Sequence, residues 1–563
     1  MFFFSFISFI FSASIIGIDL GSQYLKLAEA TLSGFPKPFH VNGMKSTIPS
    51  AAAFKPTEKA PPFSKDDFND IELTIGQQAL KLLIKNESLG YRFLPFAVSR
   101  ENYTNGCIAD PKQTLALYLY NLLRSSEISV GVAIAVPAYW TNPQRVAVVQ
   151  ACQMINFPLI NMMTDATAVA ALFSSTRSGF FKNEAYKVLF VDIGATKVEC
   201  YGLAFKWVDD KTDVLQTTVT YSEKAGGHFM TKLVAQAKNV SLKKAEKILN
   251  LMTSEELREI IKPQIDIIER VIFDCYNKSK SIFKTLNESP SFDEVQMLGF
   301  LSQKPLFSEI VKKVTNIQLV KHDLNPTEAI SYGSVYATSV SYGLSPYPPG
   351  IVTQVPFVSM NVTCGDTSIY CVKDEMRCNS EIMEIGTEAC QIVTITADPK
   401  DIPEGSSPIM AQYRLKNLTN LHFDKDSKGL GRFTMNNPYP AIRKIEWCSG
   451  LDCQPIDFEP YFANIAHLNE SVRFISNYQD ADSIRFEKSN LLGKIALLLD
   501  SIDLQINGQN EIFVELTNDF LKNYKEAKEL HESGQLRNKS NEELKDLLNT
   551  INEIAKSLGI KPE

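Results

Sequence analysis

Two short segments of the chain place an aspartate after an apolar strand pattern and a glycine two residues later. They are Ile15–Ser22 and Val188–Thr196. In each, a buried strand would bring a carboxylate to a tight turn, where a glycine lets backbone N–H groups approach a phosphate. Asp19 and Asp192 could hold Mg²⁺ through water, because this cation prefers oxygen ligands and keeps several waters. One such segment alone is a common turn, but two facing copies would clamp the β- and γ-phosphates of a nucleotide.

The elements around these segments are predicted to form an α/β domain over residues 15–340. Short apolar strands alternate with helical patterns, which is typical of parallel sheets. The predicted strands are 15–20, 131–137, 188–193, 198–206 and 294–299, and the predicted helices are 111–125, 142–155, 228–251, 254–285 and 304–315. The segment 341–350 then contains three prolines and two glycines, which predicts a linker.

The remainder of the chain divides into a β-rich part and a helical part. Val-, Ile- and Thr-rich runs such as 390–396 predict a small antiparallel module over 351–480. Residues 481–563 have helical patterns, and amphipathic spacing is clear in 517–536 and 540–558. Ser540 and Glu543 have the spacing of a capping box at the start of the last helix.

Composition excludes some classes of partner. The 563 residues carry a net charge of −7 and 44% hydrophobic residues, which describes a globular protein without the basic face that nucleic-acid binding needs. After the N-terminus, no apolar run approaches the length of a membrane span, so the mature chain is expected to have no membrane segment.

The N-terminus favours the secretory pathway. Residues 1–14 combine an apolar stretch with small residues suited to cleavage, and they are too short to span a bilayer. A basic region is missing from this segment, so a buried N-terminal strand is the alternative to a signal peptide.

Sequons and cysteines agree with an oxidising compartment. Nine Asn-x-Ser/Thr sequons occur, at Asn86, Asn102, Asn239, Asn277, Asn287, Asn361, Asn417, Asn469 and Asn538. Six of the ten cysteines fall in the β-rich region and predict a disulfide-bonded glycoprotein module; they are Cys364, Cys371, Cys378, Cys390, Cys448 and Cys453. A zinc site is the alternative, but no CxxC pair supports it.

Several segments, in the correct order, resemble the 70-kDa heat-shock (DnaK-type) chaperones, whose ATPase domain shares its core with actin and hexokinase. The segments are Gly17–Tyr24, Ser46–Phe54, Ala135–Arg145, Thr164–Ala170 and Asn325–Gly333. The resemblance implies an α/β actin-like two-lobed ATPase domain over 15–340. A small β-sandwich-like, substrate-binding-like module and a C-terminal helical, lid-like region would follow.

The resemblance also implies ATP or ADP with Mg²⁺ as cofactors and a set of site residues. Asp19 and Asp192 would place Mg²⁺ through water, and Asp165 would orient the attacking water. The expected nucleotide contacts are Gly21, Ser22, Gln23, Tyr24, Gly194 and Thr196 at the phosphates, Gly226 and Gly227 on the opposite wall, and Gly299 at the adenine. Asp165 could instead be a helix N-cap, and Gly226-Gly227 a simple turn.

Three departures from the family pattern predict weak hydrolysis. The second loop lacks three consecutive glycines, and the adenine segment Gly299–Pro305 has lost its second glycine, serine and arginine. Arginine can stack on a base whereas Gln303 cannot. The family's phosphate-contacting lysine falls near Pro95, so positive charge is missing where phosphoryl transfer needs it. Whether the chain is an enzyme therefore stays open.

Within the family, the chain looks most like the lumenal hypoxia-up-regulated, 170-kDa glucose-regulated branch. That branch implies an endoplasmic-reticulum chaperone that holds unfolded polypeptides and promotes nucleotide exchange on a BiP-like 70-kDa chaperone. The chain is shorter than that class and ends in Gly559–Glu563 without a Lys-Asp-Glu-Leu-type signal. The alternatives are an active ATP-hydrolysing chaperone, a nucleotide-free scaffold and, least favoured, a sugar kinase on the same fold.

Overall fold

The protein is represented by a computed structural model. It describes residues 14–31, 35–41, 45–56, 71–100, 103, 105–124, 131–177, 181, 184–208, 211–341, 352–365, 367–373, 380–384, 391–416, 430–436, 441–449, 452–460, 465–508 and 518–560. The predicted signal peptide up to residue 13 and the predicted linker from residue 342 lie outside these ranges. The chain divides into two compact units, Met1–Lys55 with Leu73–Asn469, and Pro56–Glu72 with Glu470–Glu563.

The first large sheet of the first unit is built around the first aspartate segment. Its strands are β1 (Ser14–Asp19), β2 (Tyr24–Thr31), β3 (Lys37–Pro38), β4 (Thr47–Pro49), β8 (Gly131–Val136) and β9 (Leu159–Thr164). The strand order is β3-β2-β1-β8-β9, with β4 paired to β2. Every residue of β1 and β8 is buried, as expected for central strands with continuous apolar runs.

The second large sheet repeats this plan around the second aspartate segment. Its strands are β10 (Tyr186–Ile193), β11 (Val198–Val208), β12 (Lys211–Ser222), β13 (Glu294–Leu298), β14 (Val320–Lys321) and β15 (Val352–Gln354). The order is β14-β13-β10-β11-β12-β15. In both sheets the central strand pairs antiparallel with the next strand and parallel with a later one. Each aspartate therefore lies at the carboxyl end of its strand, where open α/β sheets bind ligands.

Helices cover both sheets. They are α3 (Pro111–Leu123), α4 (Asn142–Met154), α5 (Asp165–Arg177), α6 (Gly227–Lys238), α7 (Leu242–Leu251), α8 (Ser254–Ile260), α9 (Lys262–Thr285), α10 (Pro305–Thr315) and α11 (Ala329–Ser341). The crossing of α11 on α5 needs a glycine, because a Cβ at Gly333 would lie 2.0 Å from the Ala168 carbonyl oxygen. This architecture confirms the actin-like two-lobed α/β prediction.

Two long helices predicted from the sequence are each divided. The predicted helix 228–251 breaks between α6 and α7, because Asn239 adopts the left-handed conformation that ends helices. The predicted helix 254–285 breaks at Ile261, and Pro263 lies in the first turn of α9. A proline there has no N–H group to extend the preceding helix.

A smaller sheet is formed by strands that lie between β4 and β8 in the sequence. It contains β5 (Ala52–Pro56), β6 (Ile71–Ile75) and β7 (Gly90–Tyr91), in the order β6-β5-β7. Two helices follow its strands, α1 (Gly76–Leu83) and α2 (Leu94–Val98). Gly90 fits here because a Cβ would lie 2.0 Å from the Ala52 carbonyl oxygen.

The predicted β-rich region is confirmed as two antiparallel sheets. One contains β16 (Met360–Cys364), β17 (Thr367–Cys371), β19 (Ile392–Ala397), β20 (Ile409–Leu415) and β24 (Phe458–Pro460). The other contains β18 (Ser380–Glu384), β21 (Leu430–Asn436), β22 (Ala441–Ser449) and β23 (Asp452–Pro455). Their orders are β17-β16-β19-β20-β24 and β18-β21-β22-β23.

Four of the six cysteines predicted to form disulfides lie within the described residues. Cys364 is disulfide-bonded, and the backbone register places Cys448 opposite Cys453. Cys378 and Cys390 lie outside the described residues. The six-cysteine disulfide module therefore stays a prediction.

The second unit is helical. Its described helices are α12 (Ile465–Gly508), which begins just before the unit boundary, α13 (Asn518–Glu532) and α14 (Asn541–Ser557). Apolar residues of α12 such as Ile495 form a core with residues of α14 such as Ile551. The Ser540–Glu543 capping box is confirmed. Helix α12 begins well before residue 481, so the β-rich part ends earlier than the sequence predicts.

Within the described part of the chain, no helix combines the length and the apolar character that crossing a bilayer requires.

Candidate functional site: two aspartate hairpins at one cavity

The first aspartate hairpin consists of β1, the turn after it and β2. Asp19 is 6% exposed and ends β1. Gly21 is required by the turn, because a Cβ would lie 2.4 Å from the Tyr24 carbonyl oxygen. The Ser50 hydroxyl fixes the turn by donating to the Gly21 carbonyl at 2.6 Å. Across the hairpin, Lys26 is the register partner of Asp19, and its Nζ lies 2.6 Å from the Asp19 carboxylate.

The second aspartate hairpin consists of β10, its turn and β11. Asp192 occupies the place of Asp19, but its register partner is Glu199, a carboxylate. The turn closes when the Gly194 N–H donates to the Lys197 carbonyl at 3.0 Å. A Cβ at Gly194 would come no closer than 3.4 Å to any neighbour. This glycine is therefore not demanded by the turn itself, unlike Gly21.

Lys197 lies among three buried carboxylates of the second hairpin and the adjacent helix. Its Nζ lies 2.7 Å from the Asp165 carboxylate and 3.3 Å from that of Asp192, and it also bonds Glu199. Burial alone would lower the pKa of Lys197, but the carboxylates of Asp165, Glu199 and Asp192 outweigh it and raise that pKa well above its ordinary value. Burial raises the pKa of Glu199 strongly and that of Asp192 as well.

Asp165 is both a helix-start residue and a cavity residue. Its Oδ1 accepts the N–H groups of Ala138 and Ala166, both at 2.8 Å, and its Oδ2 faces Lys197. Asp165 is 3% exposed and begins α5. The capping hydrogen bond of this helix is made by the preceding residue, because the Thr164 hydroxyl accepts the Thr167 N–H at 3.0 Å. The Lys197 contact shows that this carboxylate also belongs to the charged cluster.

The two hairpins converge on one cavity of about 440 Å³. Most of the site residues predicted from the sequence line it: Asp19, Gly21, Ser22, Gln23, Tyr24, Asp165, Asp192, Gly194, Thr196, Gly227 and Gly299. The loops meet directly, since the Thr196 hydroxyl lies 2.7 Å from that of Ser22. Gln23 also donates to Glu246 of α7 at 3.3 Å.

Gly226 and Gly227 lie next to the second hairpin rather than across the cavity from it. The Gly227 N–H donates to the Gly194 carbonyl at 3.0 Å, and the His228 N–H donates to the Ala195 carbonyl at 2.8 Å. Gly226 has a φ of +139°, and a Cβ there would lie 2.8 Å from the Ala195 carbonyl oxygen. The turn supports the second loop, and only Gly227 is among the cavity residues. The prediction of an opposite wall is corrected by these two hydrogen bonds.

The end of the cavity that follows β13 is more apolar. Gly299 has a φ of +81°, and a Cβ there would lie 2.5 Å from the Asp192 carboxylate and 2.4 Å from the Ile193 carbonyl oxygen. Phe300 lines the cavity and is 61% exposed. Gln303, which replaces the family's arginine in the predicted adenine segment, is not among the lining residues.

Another wall of the cavity combines basic and aromatic side chains. Arg92 and Pro95 both line it, so a basic residue is present near the position where the sequence suggested a loss. The rings of Phe93 and His228 meet edge to face at 4.8 Å between centroids. Burial, together with Lys232 and Arg92, lowers the pKa of His228 to about 4.

Several functional side chains escaped the sequence analysis. They are Lys26, Lys197, Glu199, Glu246 and Phe300. The two lysines could have been found, because each follows its aspartate in the same hairpin and a buried carboxylate needs a partner. Glu246 and Phe300 come to the cavity through helix and strand packing, which no local pattern indicates.

The site is also connected to the β-rich region of the same unit. Tyr139 lines the cavity and stacks on Tyr221 at 4.2 Å between ring centroids. The Tyr221 hydroxyl donates to the Asp401 carbonyl at 3.3 Å. Near it, the Gln144 amide donates to the Ser406 hydroxyl at 2.8 Å.

The carboxylates do not fit the predicted role of holding hydrated Mg²⁺ without competition. Asp19 contacts Lys26, and Asp192 contacts Lys197. Each predicted magnesium residue therefore already faces a protein ammonium group. The glycines and hydroxyl groups of the two loops, by contrast, do fit a phosphate chain, since they leave room and donors beside the cavity.

The fold and the cleft are those of an actin-like, Hsp70-type ATPase domain. A family model described as Hsp70 protein matches residues 101–262. Chaperone protein DnaK of Metamycoplasma hominis is 22% identical over 613 residues, which covers 95% of this chain and 92% of DnaK. The chain therefore resembles the Hsp70 superfamily, and its relatives include members of the hypoxia up-regulated and Hsp110 branch.

That branch is represented by two further relatives. Hypoxia up-regulated protein 1 of Xenopus laevis is 21% identical over 418 residues, covering 60% of this chain and 62% of the relative. Heat shock protein 110 of Caenorhabditis elegans is 22% identical over 282 residues, covering 41% and 35%. The chain thus matches less than two thirds of the length of either relative. The relatives are chaperones of the Hsp70/Hsp110 type, and members of that family bind ATP or ADP with Mg²⁺.

Proposed function

We propose that the protein is an ATP-binding chaperone of the endoplasmic-reticulum lumen with weak or no ATP hydrolysis. It holds unfolded polypeptides, promotes nucleotide exchange on a lumenal BiP-like 70-kDa chaperone, or does both. ATP and ADP are its ligands, and any Mg²⁺ that accompanies them would be held by the phosphates and water rather than by Asp19 and Asp192, which already face lysines.

The occupied carboxylates of the second hairpin are the observation on which this proposal rests. Hydrolysis in this fold would require Asp165 to orient a water. Its Oδ1 accepts two backbone N–H groups, and its Oδ2 faces the Lys197 ammonium. A water oriented by Asp165 would compete with the Lys197 ammonium for Oδ2, and weakening a buried ion pair is costly. The hairpins can still bind phosphates while lacking a free carboxylate for the chemical step.

The binding role follows from what surrounds the cavity. Backbone groups beside Gly21 and Gly194 and the hydroxyl of Ser22 supply neutral donors for phosphate oxygens, and the Thr196 hydroxyl positions Ser22 by donating to it. The ring of Phe300, at the position of the family's second glycine, offers an apolar face for a base at the other end of the cavity. Stacking on this ring would offset the loss that the sequence predicts for adenine.

Lumenal location is supported by the predicted signal peptide and by the exposure of sequons. Six of the nine sequon asparagines are exposed: Asn86, Asn239, Asn277, Asn287, Asn469 and Asn538. Glycosylation needs such accessible sites. A glycosidase-sensitive mass of the protein from its native cells would support this part of the proposal, and an unmodified chain would oppose it.

Calorimetry combined with single-turnover hydrolysis tests the nucleotide part of the proposal. The full mature chain should bind ATP and ADP and leave bound ATP intact while a DnaK control completes a turnover. Rapid turnover would favour the active chaperone. Absence of binding would favour the nucleotide-free scaffold.

The partner role needs a separate measurement. Release of a fluorescent ADP from a BiP-like chaperone should become faster when the chain is added, and aggregation of a denatured client should be suppressed. An unchanged release rate would remove the exchange role, and unsuppressed aggregation would remove the holding role.

A further inference from the structure

We infer that the ammonium group of Lys197 takes the place of a metal cation in the cavity, so that a nucleoside triphosphate binds without requiring a divalent ion. This inference rests on the proposed nucleotide-binding function and concerns the same cavity. It specifies which cation the phosphates meet.

The carboxylates around Lys197 have the arrangement of a cation site. Oxygens of Asp165, Asp192 and Glu199 all lie within 4.8 Å of one another, and all three residues are buried. Three oxygen ligands at such spacing suit a hard divalent ion. Lys197 Nζ already contacts all three carboxylates, at 2.7 Å for Asp165 and 3.3 Å for Asp192.

A metal could enter this cluster only by displacing the lysine. The Lys197 side chain is 11% exposed, and its ammonium would lose its partners inside the protein. A buried charge without a partner costs several kcal/mol, and Mg²⁺ must in addition lose water to reach the carboxylates. The cluster therefore favours its own cation over a metal from solution.

The first hairpin agrees with this arrangement. Asp19 contacts Lys26 at 2.6 Å, and Lys26 lines the same cavity as Lys197. Arg92 is a third cationic group in the lining. Lys26, Lys197 and Arg92 are thus the cationic side chains of a lining that also holds carboxylates, and they would take the charge-balancing role that metal ions have in most nucleotide sites.

Titration of ATP into the full chain, in EDTA and in Mg²⁺, tests the inference. The wild-type dissociation constants in the two buffers should agree within about threefold. Lys197→Met should weaken ATP binding in EDTA by about tenfold or more, with recovery when Mg²⁺ is added. Lys206→Met changes an exposed lysine of the same hairpin and should leave both constants unchanged.

The outcomes separate this inference from the proposed function. ATP binding that is lost in EDTA but present with Mg²⁺ would overturn the role of Lys197 and leave the nucleotide-binding proposal intact. Absence of ATP binding in both buffers would overturn the proposed function itself. If Lys197→Met does not fold, the wild-type comparison and Lys197→Arg decide. Lys197→Arg keeps the positive charge and should retain ATP binding in EDTA. Loss of ATP binding by Lys197→Arg in EDTA would count against the inference.

Discussion

The two aspartate hairpins share one backbone plan but differ in the residue opposite the aspartate. In the first hairpin that partner is Lys26, which neutralises Asp19 directly. In the second it is Glu199, which adds a negative charge beside Asp192. Lys197, two residues before Glu199, supplies the compensating charge. A repeated fold can therefore preserve its geometry while its charges are rearranged.

The second hairpin depends more on its lysine than the first. Lys26 is 21% exposed and has one carboxylate partner, whereas Lys197 is 11% exposed and has three. Water can therefore compensate for part of the charge lost when Lys26 is replaced, but for little of the charge lost when Lys197 is replaced. This difference in burial leads to the largest predicted effect.

Lys197→Met should lower the free energy of unfolding by about 3–5 kcal/mol, because it leaves buried carboxylates without their cation. Lys26→Met should cost about 1–2 kcal/mol, since only one carboxylate loses its partner. Urea unfolding of both variants, with Lys206→Met as a surface control, measures the difference. Equal losses of unfolding free energy for Lys26→Met and Lys197→Met would contradict the predicted difference between the two hairpins.

Replacing the glycine of each turn by alanine should destabilise the first turn more than the second, because only the first has no room for a Cβ. Gly21→Ala should lower the free energy of unfolding by about 1–3 kcal/mol, because the new Cβ would overlap a backbone carbonyl. Gly194→Ala should change it by less than about 0.5 kcal/mol. Urea unfolding of this matched pair compares the hairpins independently of charge, and a Gly194→Ala loss as large as that of Gly21→Ala would contradict the described turn.

The end of the cavity near Phe300, where we propose that the base binds, can be tested separately from the phosphate loops. Phe300→Ala should weaken ATP binding by about fivefold or more, because a stacking contact is lost. Gln303→Ala, three residues away and outside the cavity lining, should have no effect. Calorimetry with ATP and with inorganic triphosphate completes the test. The Phe300→Ala loss should vanish for triphosphate, and an equal loss for both ligands would show that Phe300 does not contact the base.

The smallest expected effect concerns pH. The pKa of His228 is lowered to about 4, so the unfolded chain binds this proton more readily as pH falls from 6.5, and the free energy of unfolding decreases. His228→Gln should reduce that decrease by roughly 0.5 kcal/mol, a small value because the side chain is partly open to solvent. Urea unfolding at neutral pH and near pH 4.5 measures it, with His322→Gln as an exposed control. A control variant that behaves like His228→Gln would contradict the assignment.

Much of the fold was predictable because its signals are local. The buried strands ending in Asp19 and Asp192 are continuous apolar runs, and the Ser540–Glu543 cap has a fixed spacing. The breaks at Asn239 and Ile261 were missed, since a left-handed asparagine and a tolerated proline do not interrupt amphipathic periodicity. Boundaries of this kind depend on packing rather than on propensity.

The site was predictable in its backbone but not in its charges. The glycines and aspartates follow from the paired motif, and most of them line the cavity. The positions of Lys197 between three carboxylates and of Phe300 on the cavity wall depend on strand register and on the meeting of distant elements. The second loop therefore differs from the family pattern in two ways, by its lost glycines and by a lysine that occupies its carboxylates.

Single-turnover hydrolysis of ATP bound to the full chain tests the central claim most directly. The account predicts that ATP stays bound and unhydrolysed while a parallel DnaK sample completes its turnover, because Asp165 and Asp192 are held by Lys197. Hydrolysis of the bound ATP at the DnaK rate would contradict it.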